Sequence, residues 1–485
     1  MTTEISTPAD QHAASEPSRI PGIVRGLRET FATGRTREYQ WRKAQLVGLE
    51  RLFKENEAAI AKALNDDLGR SSAEAWIADV VGTVVEITYA RKHLKRWMRR
   101  KRVRGLPMAQ QPAKAYVQSE PYGTTLIIGA WNFPFYLTIG PLVGAVAAGN
   151  TVALKPSELA PACSALMAKL LPQYLDPHAV VVVEGDGYVT QELLAQGFDK
   201  AMFTGGTEIG KRILEGAAPH LTPVALELGG KSPVYVASDA NIEVAARRIG
   251  YMKGLNSGQV CLAPDYVIAD ASIRDELVEK IKESWAQFQA DREDKGLRVL
   301  NQRQFDRLVG YLAATEGQVA VGGASDAESL TIEPTIVVDP DADEPLMQEE
   351  IFGPILPIVT AETLDAAIDF INSRPKPLAA YAFTESKYTA NRYAAEVPAG
   401  GMVINHLLYH AVIPKLPFGG VGASGMGAYH GKAGFDEFSH QVDAVQVDRA
   451  GSEASVPAVH GEEPQTHAKA HVSPGALALQ LYPNP

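Results

Sequence analysis

Residues Phe203–Gly210 read FTGGTEIG, which ends a short apolar run and begins a segment with helical spacing. Glycines in such a turn let the backbone approach a pyrophosphate, and the first turn of a helix offers free N–H groups and positive potential. The stretch therefore predicts a dinucleotide site at Gly205 and Gly210. Its spacing differs from the common G-x-G-x-x-G pattern, and a glycine-rich turn of this kind also occurs where nothing binds.

Short apolar runs around this stretch alternate with helical segments. Residues 124–128, 151–154, 180–183 and 201–203 read as buried strands, and residues 136–148, 161–171 and 208–217 as helices. Buried strands joined by helical crossovers predict an α/β fold, in which a parallel sheet binds nucleotides at the carboxyl ends of its strands. A second α/β region is predicted from about Ser232 to Asn405.

Two polar residues follow one of these strands directly. Lys155 and Glu158 come after the run that ends at Leu154, one βα unit before the glycine-rich turn. A lysine and a carboxylate at this edge are suited to hold ribose hydroxyls. The alternative is a solvated loop with no ligand.

Length and composition limit the classes of protein to which the chain can belong. With 485 residues it exceeds what one hydrophobic core usually supports, and its fractions of 46% hydrophobic and 21% charged residues are those of a globular protein. A net charge of -11 argues against nucleic-acid binding. The basic run at 95–104 is interpreted as cations that face solvent at a helix C-terminus.

The N-terminus lacks the pattern of a signal peptide, and no apolar stretch reaches the roughly 20 residues of a membrane span. We therefore expect a cytoplasmic enzyme without a membrane anchor. Two cysteines are too few for a disulfide framework, which agrees with a reducing compartment. No metal site is predicted.

Cys261 lies in Asn256–Pro264, which reads NSGQVCLAP. The glycine and proline favour a shaped turn, on which a substrate can reach the thiol. The alternative is a small buried hydrophobe, as expected for Cys163 on its helix. Glu227 favours the reactive interpretation, because a carboxylate in the apolar run VALELGG is suited to a positioned base with a raised pKa.

Together these residues resemble the aldehyde dehydrogenase family, and within it class 3, the dimeric branch that acts on fatty and aromatic aldehydes. The matching stretches are GAWNFP (129–134), LKPSE (154–158), FTG (203–205), LELGGK (226–231), GQVC (258–261), QEEIFGP (348–354) and LPFGGVG (416–422). The resemblance covers about Ile20 to Val447, with the stretches in the expected order. It implies an aldehyde dehydrogenase-like fold, with a Rossmann-type cofactor domain and an α/β catalytic domain.

The resemblance also implies roles for single residues. Cys261 is the nucleophile, whose site is expected to favour the thiolate; Asn132 and the backbone N–H of Cys261 form the oxyanion hole; and Glu227 is the base that hydrolyses the thioester. The residues implied in cofactor binding are Trp131, Lys155, Glu158, Gly205, Gly210, Glu350 and Phe352. Glu350 has a structural alternative, capping the turn at Gly353-Pro354. The expected cofactor is NAD, with NADP also possible.

The expected organisation has seven segments. These are a mobile N-terminus (1–19), a helical lead-in (20–104), a bridging hairpin (105–120), the cofactor domain (121–230), the catalytic domain (231–415), a closing segment with an oligomerisation strand (416–447) and a mobile tail (448–485). The resemblance implies a homodimer.

The aromatic residues near the motifs, Trp131, Phe133, Tyr136 and Tyr409, are candidates for contact with an apolar aldehyde, or are simply core. His406 stands where many class 3 relatives have an aspartate, which affects the substrate entrance. A rival interpretation is a Cys-dependent hydrolase or acyltransferase, which needs an imidazole beside the sulfur. The chain has 11 histidines, of which none lies within 35 positions of Cys261.

Overall fold

Short strands, most of them buried along their length, build two parallel sheets in the computed structural model, which describes residues 18–111, 113–290 and 298–447. These residues form two compact units, one of residues 18–101 and 117–442 and the other of residues 102–116 and 443–447. The tail predicted to be mobile, and residues 1–17 of the N-terminus, lie outside the described residues.

The strands and helices predicted between residues 124 and 217 are present in the predicted order. The helices are α1 (Ile20–Ala32), α2 (Tyr39–Glu55), α3 (Glu57–Leu68), α4 (Ser72–Ala75), α5 (Val81–Trp97), α6 (Pro134–Ala148), α7 (Pro161–Tyr174), α8 (Gly187–Leu194), α9 (Thr207–Ala217), α10 (Ile242–Gly254), α11 (Arg274–Ala290), α12 (Gln302–Ala314), α13 (Pro345–Gln348), α14 (Leu364–Asn372), α15 (Lys387–Glu396) and α16 (Gly431–Glu437). The strands are β1 (Lys101–Val103), β2 (Lys114–Pro121), β3 (Thr124–Ile128), β4 (Thr151–Lys155), β5 (Val180–Val182), β6 (Lys200–Gly205), β7 (Val224–Leu228), β8 (Pro233–Val236), β9 (Tyr266–Asp270), β10 (Gln318–Val321), β11 (Ser325–Asp326), β12 (Thr331–Ile332), β13 (Thr335–Val338), β14 (Ile355–Ala361), β15 (Ala379–Phe383), β16 (Gly401–Ile404), β17 (Gly425–Met426) and β18 (Ser439–Gln446).

The first sheet has the strand order β17-β7-β6-β3-β4-β5. Its strands β3 to β7 are parallel, as predicted, and helices α6, α7, α8 and α9 connect them. Two members of the sheet were not predicted as strands. The run around Glu227 is β7, and β17 from the closing segment pairs with it antiparallel.

The second sheet has the order β10-β13-β14-β9-β8-β15-β16. Its inner pairings are parallel, and β10 joins the edge antiparallel to β13. Two smaller sheets have the orders β1-β2-β18 and β11-β12. The second α/β region that the sequence predicts is thus confirmed.

The lead-in is helical through α5, which ends at Trp97, and β1 lies within its last predicted residues. The basic run at 95–104 therefore belongs to a helix end only in part. Its remainder enters β1, whose three residues are exposed, so the solvent-facing part of the interpretation is correct. No helix among the described residues has the length and apolar character that a bilayer crossing needs.

Helix α6 lies in the core and carries 14 buried residues. It packs against α16, and a Cβ added at Gly144 would lie 2.8 Å from the carbonyl oxygen of Gly434. The backbones of the two helices approach each other too closely at this point for any larger residue.

We expect Gly144→Ala to lower the free energy of unfolding by about 1–3 kcal/mol, because the new methyl group overpacks this contact. The measurement is the urea midpoint of the variant. The control is Gly26→Ala in α1, where an added Cβ has nothing within 4 Å; here the gain in helix propensity should leave stability unchanged or raise it by up to about 1 kcal/mol. Equal midpoints for the two variants would contradict the close approach.

Candidate active site

Glu227 lies on β7, opposite Thr204 of β6 in the parallel register. Its side chain is 2% exposed, and its Oε1 is buried with no hydrogen-bond partner, as is Oγ1 of Thr204. Burial raises the pKa of the Glu227 carboxyl to about 8, although a hydrogen bond with Cys261 opposes the shift. The predicted burial and raised pKa of this carboxylate are thus found in the structure.

Cys261 follows a turn in which Asn256, Ser257 and Gly258 all have left-handed backbone angles. The turn leaves the residue partly exposed, whereas Cys163 is fully buried. The thiol and the Glu227 carboxyl lie close enough for each group to shift the pKa of the other, so the fold brings together two residues that stand 34 positions apart. A turn at Cys261 was predicted, and the structure has one.

The protonation state of Cys261 is set by burial and by nearby charges. Loss of contact with water raises the pKa of the thiol, and the charges of Glu227 and Glu350 raise it further. In the free protein, burial and these two carboxylates therefore both favour the neutral thiol. The preference for the thiolate stays a prediction for the enzyme with its cofactor, whose positively charged nicotinamide ring is expected to contribute.

Asn132 lies in the loop between β3 and α6, and its side chain is 3% exposed. Its Nδ2 donates to the carbonyl oxygen of Gln259, two residues before Cys261, at 3.2 Å. An amide nitrogen carries two N–H groups, and one suffices for this bond. Among the described residues, this nitrogen has no second acceptor.

Sequence reasoning missed the group of buried polar residues behind Asn132. Arg70 is 1% exposed; it pairs with Asp79 and donates to the carbonyl oxygen of Asn132. Asn256 is 2% exposed and contacts both Asn132 and Gln259. The sequence carries no signal for Arg70, because its partners lie up to 186 residues away.

Lys155 is the last residue of β4 and is 2% exposed. Its Nζ donates to Oε2 of Glu158 at 2.7 Å, and the Glu158 side chain remains 42% exposed. The alternative of a solvated loop is therefore wrong for Lys155. The pair presents a buried cation and a partly exposed carboxylate at the carboxyl end of the sheet.

The glycine-rich turn has one open position and two tight ones. Gly206 precedes α9, and a Cβ added there would meet nothing within 4 Å. A Cβ at Gly205 would lie 2.4 Å from the ring of Phe203, and one at Gly210 would lie 2.8 Å from Leu228. Gly210 thus allows α9 to pack on β7, and Gly206 leaves space above the helix N-terminus.

Glu350 lies against the Gly229-Gly230 turn. A Cβ at Gly229 would lie 2.0 Å from Oε2 of Glu350, and the backbone N–H of Gly230 donates to this carboxylate. Burial raises the pKa of Glu350 to about 8, and the charge of Asp265 acts in the same direction. These contacts are with Gly229 and Gly230, whereas the structural alternative has the Glu350 side chain cap the turn at Gly353-Pro354.

The aromatic candidates occupy distinct places. The rings of Trp131 and Phe352 meet edge to face with centroids 5.4 Å apart. The hydroxyl of Tyr136 lies 3.1 Å from the carbonyl oxygen of Ala411 and 3.1 Å from Nε2 of His430. His406 stacks on Tyr409 at 3.5 Å between ring centroids, and Tyr409 is 55% exposed.

A family model described as "Aldehyde dehydrogenase family" matches residues 6–443. The rat protein named "Aldehyde dehydrogenase, dimeric NADP-preferring" is 46% identical over 428 residues, which cover 87% of this chain and 94% of the relative. "Aldehyde dehydrogenase family 3 member H1" of Arabidopsis thaliana is 48% identical over 425 residues, with coverages of 86% and 88%.

Solved structures agree with the sequence relatives. Substrate-bound Staphylococcus aureus AldH superimposes with a TM-score of 0.86 at 41% identity, over 89% of this chain and 95% of that one. P. syringae AldA, an indole-3-acetaldehyde dehydrogenase in complex with NAD+, gives a TM-score of 0.81 at 26% identity, with 88% of each chain covered. The chain with Cys261, Glu227 and Asn132 around one turn therefore belongs to the aldehyde dehydrogenase family.

Proposed function

We propose that the protein oxidises an aromatic or a medium to long aliphatic aldehyde to the carboxylic acid, with NAD or NADP as the hydride acceptor. The observation that carries the proposal is the proximity of the buried Glu227 carboxyl to the Cys261 thiol, with the Asn132 amide nitrogen 3.2 Å from the carbonyl oxygen of Gln259, two residues before that thiol. Nucleophile, base and oxyanion donor are the three groups that acyl transfer through a thioester needs.

Attack begins with loss of the thiol proton. Glu227 is the carboxylate nearest in effect to the sulfur and accepts this proton, since only the thiolate is nucleophilic. The sulfur then adds to the aldehyde carbon to form a thiohemiacetal, and the carbonyl oxygen takes up negative charge. The remaining N–H of Asn132 and the backbone N–H of Cys261 stabilise that charge, where one such donor is typically worth about 3–4 kcal/mol.

The residues present fit a dinucleotide. Oγ1 of Thr204 is buried without a partner at the end of β6, and open space lies next to Gly206 at the start of α9. We propose that Lys155 and Glu158 hold ribose hydroxyls and that Trp131, Glu350 and Phe352 hold the nicotinamide end. The chemistry that NAD(P) supplies when bound is acceptance of the hydride that the thiohemiacetal carbon releases.

Hydrolysis of the resulting thioester uses Glu227 again, after its carboxyl group has released the thiol proton to solvent. Its partnerless Oε1 can accept a proton from a water, which then attacks the acyl carbon. The C–S bond breaks, the thiolate leaves, and the carboxylic acid is released. A base with a pKa of about 8 is suited to this step near neutral pH.

Cofactor choice follows from Glu158. A carboxylate there accepts ribose hydroxyls and repels a 2′-phosphate, which favours NAD, whereas Lys155 attracts that phosphate. Because Lys155 already donates to Glu158 at 2.7 Å, we propose NAD as the first cofactor and NADP as a second. The rat relative is named as NADP-preferring, so the activity of this protein is to be compared with NAD and with NADP.

A cytoplasmic homodimer with the seven predicted segments completes the proposal. The printed name of the rat relative describes a dimeric enzyme. In the region of the bridging hairpin and the closing segment, β2 and β18 each run for eight residues. We propose β18 as the oligomerisation strand.

We expect the protein to reduce NAD or NADP when it is mixed with a panel of aromatic and aliphatic aldehydes. The absorbance of the reduced cofactor measures the reaction. Cys261→Ala should abolish this oxidation while cofactor still binds, because the variant loses only the nucleophile. A wild-type protein that releases acid from esters or thioesters, yet reduces neither cofactor with any aldehyde, would instead be a Cys-dependent hydrolase.

Glu227→Gln should produce a burst of reduced cofactor and then stall with an acyl group on Cys261. Removal of a general base typically costs about 10²–10⁴-fold in rate, and here the loss falls on hydrolysis. Stopped-flow absorbance follows the burst, and mass spectrometry follows the acyl adduct. Full steady turnover in this variant would assign the base to another residue.

The rate of thioester hydrolysis should rise with pH through an apparent pKa of about 8 and then level off. The sign follows from burial: it raises the pKa of Glu227 from 4.5 to about 8, so the carboxyl stays protonated, and inactive as a base, below that pH. Single-turnover decay of the acyl-enzyme measures this profile. An inflection near 4.5 would contradict the role of burial.

A further inference from the structure

The turn before Cys261 is held in an unusual backbone conformation. Asn256 has φ 51° and ψ 35°, Ser257 has φ 53° and ψ 34°, and Gly258 has φ 72°. Side chains with a Cβ rarely adopt these angles, and two such residues in succession are strained. Strain of this kind persists only where surrounding contacts fix the backbone.

The side chain of Asn256 supplies such contacts. Its Nδ2 donates to the carbonyl oxygens of Asn132 at 3.3 Å and of Gln259 at 3.0 Å, and its Oδ1 accepts from Nε of Arg70 at 3.3 Å. The Asn132 amide donates to that same Gln259 oxygen. Two asparagines and one backbone carbonyl therefore form a closed ring of hydrogen bonds between the Asn132 loop and the Cys261 turn.

Arg70 holds this ring from behind. One terminal nitrogen of its guanidinium pairs with Asp79, the other donates to the carbonyl oxygen of Asn132, and the group lies 4.6 Å from the ring centroid of Phe133. The planar fork of arginine can serve several acceptors in fixed directions, which a lysine cannot.

Asp79 extends the same network to α6. Its Oδ1 accepts from the backbone N–H groups of Phe135, at 2.9 Å, and Tyr136, at 3.0 Å, in the first turn of that helix. The loop with Asn132 is thus fixed at its own carbonyl and at the helix that follows it.

We propose that Asn256 and Arg70 are positioning residues for the oxidation: they bridge the Asn132 loop and the Cys261 turn, and so fix the distance between the oxyanion donor and the sulfur. The inference rests on the proposed function, in which Asn132 stabilises the oxyanion. Neither residue contacts the aldehyde in this scheme. Their effect reaches the reaction through Asn132.

Asn256→Gly separates positioning from strain. Glycine adopts left-handed angles freely, so the variant relieves the turn while it removes the bridge. The matched control is Ser257→Gly, which places glycine one residue further on and leaves the ring of hydrogen bonds intact. Both variants add the same flexibility to the same turn.

The measurement is the burst rate of reduced cofactor with one good aldehyde, together with cofactor binding and the unfolding temperature. We expect Asn256→Gly to lower the burst rate about 10- to 100-fold, as small displacements of a catalytic group do, with cofactor binding unchanged. Ser257→Gly should retain the wild-type rate. Equal losses in the two variants would attribute the effect to flexibility and overturn the proposal.

A double-mutant cycle with Asn132→Ala measures whether the losses of burst rate in the two variants are coupled. A purely structural role of Asn256 would not produce this coupling. Once the oxyanion donor is absent, Asn256→Gly should cause no further loss of burst rate. If the two losses multiply, Asn256 acts independently of Asn132 and the proposal fails. If Asn256→Gly does not fold, Arg70→Lys, which keeps a cation beside Asp79, replaces it in the same cycle with the same expected outcome.

The cycle also distinguishes this inference from the proposed function. Full activity of Asn132→Ala would remove the oxyanion role itself. A large loss in Asn132→Ala with a wild-type rate in Asn256→Gly would leave the proposed function in place and overturn only the positioning role.

Discussion

The contact between the Glu227 carboxyl and the Cys261 thiol lies where two parallel sheets meet. Glu227 belongs to β7 of the first sheet, and Cys261 lies in the turn between α10 and β9, a strand of the second. A carboxyl group buried to 2% exposure needs a polar partner, because its transfer from water is costly. The thiol is the polar group that the fold brings beside this carboxyl group, and the two sheets must be placed so that the two groups meet.

The same burial raises the pKa of both groups, with opposite consequences for their reactivity. It raises the pKa of Glu227 to about 8, which brings a glutamate into the range where it works as a general base. It also raises the pKa of Cys261, with added repulsion from Glu227 and Glu350, which keeps the thiol neutral. The burial that makes Glu227 a stronger base therefore also keeps the free thiol protonated. The thiol becomes nucleophilic only when another group accepts its proton.

Much of this arrangement could be predicted from the sequence, where residues carry their own local signal. The buried strands, the turn at Cys261 and the conflict between Glu227 and its apolar neighbours are all visible within a few residues. β17 could not be predicted, because two residues are too few for a strand pattern and their pairing with β7 depends on the fold. Arg70 and Asn256 were missed for a similar reason: Asn132, to whose carbonyl oxygen both donate, lies 62 residues from Arg70 and 124 from Asn256.

The stretch from Glu227 to Lys231 shows how one short motif sets two parts of the site. Glu227 faces the thiol, and Gly229 leaves the space that the Glu350 carboxylate fills. Lys231 then anchors the segment that carries Glu350, since its Nζ donates to the carbonyl oxygens of Leu346 at 2.9 Å and Glu349 at 2.8 Å.

Asp265, which follows Cys261 in the sequence, also binds the segment that carries Glu350. It pairs with Lys231 and accepts from the backbone N–H of Ile351 at 2.9 Å. Residues on both sides of Glu350 are thereby tied to the motif that supplies the base, and the left-handed backbone of Phe352 follows directly. A change at Lys231 would therefore move the residues proposed to hold the nicotinamide while leaving Glu227 on its strand, so binding and hydrolysis are separable properties of one motif.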